Sequence, residues 1–540
     1  MSQLDRGVVA AGRARYGAGA WLPEAFGAAV VVAFVLALYL PAAGSGLVSD
    51  AYYLFGLVSR SVQSILFSRA DYHYYPLGLG LLALQFRLCG LDAAWHSAVT
   101  VGLHIVASLL VALLGRDLGL SRLASWSAAV LFATSCLSFE VPLWAIGTLY
   151  STSTCLYVLA LRVWIREGKR RALIFVLLLA AGLLIHEQTA SLLLVCLLHS
   201  ALLGPAALPS MAELVNRRSW AEWLRQTRPV LAPAAAVVAA YVGVKWFAGR
   251  GRVLFPGLQE GLLRPLGPFV FHATRTLLPN LRAAWAWQIL RPGLPAPLKA
   301  AWYALIAIAG LAATLRLQRR QLFLLSWVLV HVAMMSFAIG MASRHYYLPL
   351  VPASLLVMGL IESAAHRLSR SLPRLAGAGT TALILAAVLA ILSWGLPDLH
   401  RKVAVWRQAA ATADRILADL DTAQARQPQA TRLVAVNLPD GIPLGESEPA
   451  FIFRLGFEDA VQFHWPGRFT SVERRRTLPL ENWVEPFGAP ITTAELAALA
   501  GDSTVLVLQK VTRPALAELP SGPTGSTDRK PPSGRSPDRR

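Results

Sequence analysis

The chain is built from apolar runs close to twenty residues long, separated by short turns rich in arginine. A helix of about that length crosses a hydrocarbon core of about 30 Å. A large soluble enzyme would scatter the same residues at amphipathic spacing instead. Hydrophobic residues make up 55% of the 540 and charged ones 15%, above the soluble norm of roughly 45–50% apolar. The pattern predicts an all-α polytopic membrane protein. Lys and Arg number 50 against 30 Asp and Glu, for a net charge of +20. In this context the excess reads as topology-setting cytoplasmic arginine and as attraction to anionic membrane lipids. No nucleic-acid-binding pattern accompanies it. Cys89, Cys136, Cys155 and Cys196 form no C-x-x-C pair and sit in or beside apolar runs, which reads as packing and not as a disulfide or zinc framework.

Arg6, Arg13 and Arg15 precede the first run, Ala25–Leu40. Ala42-Ala43-Gly44 could serve a signal peptidase, but the many runs that follow favour an uncleaved first span with residues 1–24 as a cytoplasmic tail. Further spans are expected at His96–Leu114, Leu123–Leu137, Leu143–Val163, Ala172–Ile185, Thr189–Leu203, Pro229–Phe247, Ala301–Leu315, Leu322–Met341, Tyr347–Ile361 and Thr381–Leu396. Arginine-rich and arginine-poor short turns alternate along this order, giving about eleven spans and an outer C-terminus. Between the first two spans, Ala51–Phe67 reads as an amphipathic helix in the interface and Pro76–Leu88 as a re-entrant or interfacial helix. The transmembrane domain is thus expected over 25–396.

Beyond it the composition changes. Val403–Leu420 reads as an amphipathic helix. Leu433–Val436 and Val505–Leu508 read as short buried strands, with Asn437-Leu438-Pro439-Asp440-Gly441 as a turn after the first. A small extracytoplasmic α/β domain over 397–512 follows, and residues 513–540, without an apolar pattern, read as a disordered tail.

Ionisable groups at the ends of spans are costly and therefore informative. On this topology Asp50, Asp71, Glu140, His186, Glu187 and Arg344 come from four outer connections and share one level. A solvated loop-end charge is the competing reading for each singly; their convergence favours one outward polar site. Arg344, with Tyr346 beside it, is an isolated cation in a short outer turn, where a planar guanidinium suits a phosphate. His96, His104, His199 and His331 lie within apolar runs and read as structural.

Ser49-Asp50 after span one, Phe139-Glu140-Val141-Pro142-Leu143-Trp144 after span three, Glu187 between two spans, and Arg344 through Pro349 together resemble the GT-C class of integral-membrane glycosyltransferases, nearest in pattern to protein O-mannosyltransferases and aminoarabinose transferases. The resemblance covers roughly residues 25–365. It implies a polyprenyl-phosphate-linked sugar donor and an acceptor reached from outside the cytoplasmic membrane. It places the catalytic acid of the first outer loop at Asp50 and a second acid at Glu140. Where many relatives carry paired acids, Asp50 is followed by Ala51; where some carry Lys-Glu, this chain has His186-Glu187.

The chemistry agrees. A phosphate leaving group departs as a stable anion, so the reaction needs a base for the acceptor proton and cations for the departing phosphate. Asp50 suits the first role. Arg344 suits the second, with Arg275 as a helper from the 248–299 loop and His186, Glu187, Asp71 and Tyr346 as lining groups. Metal use is left open: Mg or Mn takes carboxylate and phosphate oxygens and could bridge Asp50 to another acid. The acceptor is a glycan, lipid or protein hydroxyl. The alternatives are a polymerase or ligase of lipid-linked glycans and a non-enzymatic lipid or solute transporter. The expected location is the inner (cytoplasmic) membrane, multi-pass.

Overall fold

A computed structural model of the chain describes residues 21–67, 74–166, 171–204, 217–248, 266–277, 317–336, 342–371, 378–444, 449–477 and 488–509. Asp71, the span expected at Ala301–Leu315 and the C-terminal tail lie outside these residues.

The described residues are mainly helical. In chain order the helices are α1 (Trp21–Tyr39), α2 (Ala51–Arg60), α3 (Val62–Phe67), α4 (Pro76–Cys89), α5 (Ala93–Asp117), α6 (Arg122–Ala133), α7 (Glu140–Leu143), α8 (Thr148–Ile165), α9 (Arg171–Ile185), α10 (Ser191–Leu202), α11 (Arg217–Ala248), α12 (Leu266–Leu277), α13 (Arg319–Ser336), α14 (Leu350–Ser371) and α15 (Ala378–Arg426). Four described segments are long and apolar enough to cross a membrane: Trp21–Ala42, Ala93–Asp117, Thr227–Phe247 and the helix Ala378–Arg426. The other expected runs within the described residues form shorter or less apolar helices. The run at Thr381–Leu396 and the amphipathic segment at Val403–Leu420 are one continuous helix, α15, carrying Pro397 in its interior.

Small residues let the central helices approach closely. Ala124, Ala128, Ala129 and Ala133 of α6 are buried, and Gly115 of α5 faces Ser125 and Leu355. His104 bridges this core, with Nδ1 2.8 Å from the Tyr347 hydroxyl and Nε2 3.1 Å from the Ala133 carbonyl. His331 lies 2.9 Å from the Ser191 hydroxyl. Both histidines are packed groups, as their placement in apolar runs suggested.

The two ends of the bundle differ. At one end Arg122 pairs with Glu24, Arg162 and Arg166 share Asp117, and Arg320 pairs with Glu362, whose other oxygen accepts from the Ser121 N–H. At the opposite end lie Asp50, Glu140, Glu187 and Arg344. Helix α4 lies across that second end: Gly78 approaches the Ile185 carbonyl, and Gln85 donates to the Ala145 carbonyl at 3.1 Å. The amphipathic segment after Asp50 is two helices, not one, because the backbone is fully extended at Ser61. Its first half is buried through Tyr52, Leu54, Phe55 and Val58.

The C-terminal region adds β1 (Arg432–Val436), β2 (Gly441–Pro443), β3 (Pro449–Phe451), α16 (Phe457–His464), β4 (Ser471–Arg476), β5 (Ala489–Pro490), α17 (Thr493–Gly501) and β6 (Val505–Gln509). One sheet runs β5-β4-β1-β6, all parallel, with Arg432 in register with Ser471 on one side and Val505 on the other. The two strands expected from sequence, β1 and β6, are neighbours in it. A β2–β3 hairpin stands apart. This region packs on α2: Tyr52 meets Phe453 and His464, and Arg60 pairs with Asp459 at 3.0 Å. Gly456 is required there, since a Cβ would lie 2.8 Å from the Tyr53 nitrogen and 2.9 Å from the Tyr52 Cβ.

Candidate active site

Asp50 immediately precedes α2, in the N-cap position, yet its side chain makes no capping bond. Aspartate at a helix start ordinarily caps the first N–H groups. Here the carboxylate is buried and turned instead toward Arg454, whose Nη1 lies 3.5 Å from Oδ2. The preceding Ser49 adopts φ +61°, a left-handed conformation that costs a non-glycine residue roughly 1–2 kcal/mol. That turn is pinned by the Ser49 N–H donating to the Ile452 carbonyl at 3.0 Å.

Glu140 is placed by the way α6 ends. Thr134 donates its hydroxyl to the Val130 carbonyl at 2.8 Å, and Ser138 donates to the Ser135 and Phe132 carbonyls at 2.8 and 3.2 Å. These hydroxyls share carbonyls with backbone N–H groups at the helix end, and the helix stops at Ala133 and not at Leu137. The chain then winds the single turn α7 and enters α8 past Gly147. A Cβ at Gly147 would sit 1.8 Å from the Val141 carbonyl oxygen, so only glycine fits between the turn and the helix.

From that turn Glu140 grips Arg344. Oε1 accepts from Nη1 at 2.5 Å and Oε2 accepts from the Arg344 backbone N–H at 2.9 Å. Both side chains are buried, 7% and 10% exposed. The guanidinium lies over the Trp144 ring, 4.8 Å from its centroid. Burial works against the charge on Arg344. The carboxylates of Glu140 and Asp50 more than offset it, so the pKa of Arg344 stands above its ordinary value. Asp50 is thereby electrostatically coupled to Arg344, although the two come from distant turns.

Around this pair, His186 packs on Tyr150 with ring centroids 4.6 Å apart, and His345 meets the same ring edge-on. The His186 Nδ1 accepts from the Gln188 N–H at 3.3 Å, so that nitrogen already serves the turn. Glu187 forms an ion pair with Lys245 near the end of α11. Tyr346 is fully buried; its hydroxyl lies 2.5 Å from the His272 Nδ1 and the Arg275 guanidinium sits over its ring at 4.9 Å. A neighbouring group is formed by Lys402, which pairs with Asp398 at 3.1 Å and donates to the Cys136 carbonyl at 3.0 Å.

The structure therefore groups Asp50, Glu140, Arg344, His186 and Glu187 at one end, with Arg275 and Tyr346 alongside. Trp144, the last residue of the Phe139–Trp144 motif, belongs here too, as do Tyr150, Lys245, Asp440 and Arg454, which were not singled out from sequence. Lys245 is the cation closing an apolar run, a signal that could have been read. Asp440 was read only as part of a turn, and Arg454 is a lone cation within Phe451-Ile452-Phe453-Arg454-Leu455, a signal that could also have been read. Among the described residues no three His, Cys, Asp or Glu side chains come together to hold a metal ion. Glu140 is committed to Arg344, and Asp50 faces Arg454. A groove between α10 and α11, lined by Leu193, Leu197, Leu231 and Ala235 with Arg225 and Arg228, lies away from this site.

No protein-family model and no curated protein matches the chain. Solved structures similar to it include the oligosaccharyltransferase of Archaeoglobus fulgidus in its apo form, 14% identical with a TM-score of 0.43 over 83% of this chain. The same archaeal enzyme, AglB, solved with an inhibitory peptide and a dolichol-phosphate, is 13% identical with a TM-score of 0.42. The chain spans 64% of the length of either. ArnT from Cupriavidus metallidurans bound to undecaprenyl phosphate is 12% identical, with a TM-score of 0.42 over 84% of this chain and 86% of that one.

Proposed function

We propose that the chain is a multi-pass glycosyltransferase that moves a sugar from a polyprenyl-phosphate-linked donor to an acceptor hydroxyl. The observation that supports the reading is that one end of the bundle holds both a buried carboxylate that caps no helix, Asp50, and a buried guanidinium held by Glu140, Arg344. In the reaction the acceptor oxygen bonds to the anomeric carbon as the bond from that carbon to the phosphate oxygen breaks. The bonding pair leaves on the phosphate, and the acceptor proton passes to the Asp50 carboxylate. Arg344 holds the departing phosphate through the guanidinium N–H groups that Glu140 does not occupy. Glu140 thus acts through Arg344, as the residue that orients it. Burial of the pair keeps the electrostatics strong where charge develops. Lys245 and Glu187, His186 and Arg275 close the surroundings.

The bias of positive charge at the bundle end bearing Arg122, Arg162, Arg166 and Arg320 supports reading that end as cytoplasmic and the site as outside, on a cytoplasmic-type membrane. With about eleven crossings over 25–396, the region from 397 to 512 lies outside with it. The assay is direct. Purified protein in detergent is titrated with undecaprenyl phosphate, wild type against Arg344→Gln. Binding weakened at least tenfold in the variant supports the clamp, and equal binding removes it.

A further inference from the structure

Asp440 sits just beyond β1, at the carboxyl end of that strand. Successive strands β4 and β5 lie to one side of β1 and β6 to the other, and the crevice at such a switch point is where parallel sheets bind and act. Here the crevice is turned onto the first outer loop. The Ser49 N–H donates to the Ile452 carbonyl at 3.0 Å, and the Ile452 N–H donates to the Asp440 carbonyl at 2.8 Å, lacing three segments side by side. Asp440 is 4% exposed, and its Oδ1 has no hydrogen-bond partner among the described residues. The charged groups that face it are Asp50 from the outer loop, Arg454 after β3, and Arg474 of β4. Arg474 is already spent on Glu458 of α16, at 2.9 Å. Arg454 is the cation that Asp50 itself faces.

We propose that Asp440 is a positioning residue for Asp50: it competes for the Arg454 guanidinium and so sets how much of the Asp50 charge is free to take the acceptor proton. This rests on the reading of Asp50 as the base. Burial raises the Asp440 carboxyl to about 7, against the pull of Arg474 and Arg454 and with the help of the Asp50 charge. Below that pH Asp440 is neutral and Arg454 serves Asp50 alone. Above it Asp440 is ionised, draws on Arg454, and leaves Asp50 more basic.

Two readouts test this, with Asp440→Asn as the variant. In sugar transfer from a polyprenyl-phosphate donor, the wild-type rate rises about tenfold between pH 6 and pH 8, following ionisation of one group near 7. The variant changes by less than about twofold over the same range. A variant that keeps the tenfold rise overturns the proposal. The second readout needs no activity. A carboxyl whose folded pKa is raised contributes stability that is present below its unfolded value of 3.8 and lost as pH climbs toward 7. The melting midpoint of the wild type therefore falls between pH 5 and pH 7, and that of Asp440→Asn falls less. In Asp50→Asn the fall moves to lower pH, because one charge that raises Asp440 is gone. An unmoved transition in Asp50→Asn overturns the coupling. Melting shifts as described with no sugar transfer by wild type would instead refute the glycosyltransferase reading and leave the Asp440–Asp50 pairing standing.

Discussion

Replacing Glu140 by glutamine isolates what holds Arg344. The carboxylate takes two bonds from one residue, Nη1 at 2.5 Å and the backbone N–H at 2.9 Å, in surroundings where both side chains are buried. Glutamine keeps the shape and one carbonyl oxygen, but its NH2 group meets one of the two donors head-on. The guanidinium also loses its counter-charge. A hydrogen bond to a charged group is worth about 1.5–3 kcal/mol, and removing one side of a buried ion pair costs about 3–5 kcal/mol. Trp144 remains beneath the guanidinium, so the loss falls at the lower end, about 3 kcal/mol. The assay is a double-mutant cycle by tryptophan fluorescence in detergent, with wild type, Glu140→Gln, Arg344→Met and the double variant unfolded in parallel. A coupling of about 2 kcal/mol or more is expected. Losses that add to within about 0.5 kcal/mol would refute the idea that Glu140 holds Arg344.

Other consequences follow from the same geometry. Gly147→Ala drives a methyl group into the Val141 carbonyl. Overpacking of that kind costs about 1–3 kcal/mol, and because the obstacle is backbone, a lower melting midpoint and loss of sugar transfer should appear together. Gly456→Ala pushes the C-terminal region off α2 at Tyr52 and Tyr53; limited proteolysis after Arg454 or Arg468 should accelerate while the bundle melts unchanged. Lys245→Met leaves Glu187 without its ion pair. Its effect on transfer should be relieved in the Lys245→Met/Glu187→Gln double variant, measured as the rate at saturating donor.

Much of this arrangement is legible in the residues themselves, and the rest is hidden for identifiable reasons. The run at His96–Leu114 becomes the centre of α5, which extends three residues further at each end, because a long unbroken apolar stretch admits few alternatives. The next run is cut short at Ala133, since Thr134 and Ser138 compete for backbone carbonyls and periodicity carries no trace of that. Strands β1 and β6 are readable as buried apolar runs, whereas β4, with the sequence Ser-Val-Glu-Arg-Arg-Arg, is not. Arg474 pairs with Glu458 of α16, a partner fixed only by the fold, while Arg475 pairs with Glu473 of the same strand. Asp50, Glu140 and Arg344 stand out because each is a charge at the edge of an apolar run. Asp440 sits in a turn sequence and Arg454 in the short apolar stretch Phe451-Ile452-Phe453-Arg454-Leu455, far from any long run, and only the docking of the C-terminal region on α2 brings them to Asp50. Asp71 lies outside the described residues, so its place beside the others is still a matter of sequence.

The central claim is that Asp50 takes the acceptor proton. It is tested most directly by purifying Asp50→Asn and measuring sugar transfer from a polyprenyl-phosphate-linked donor, alongside undecaprenyl phosphate binding. A positioned base contributes about 10²–10⁴-fold. The account predicts a transfer rate reduced at least a hundredfold with lipid-phosphate binding retained through Arg344. A variant that transfers sugar at the wild-type rate would contradict it.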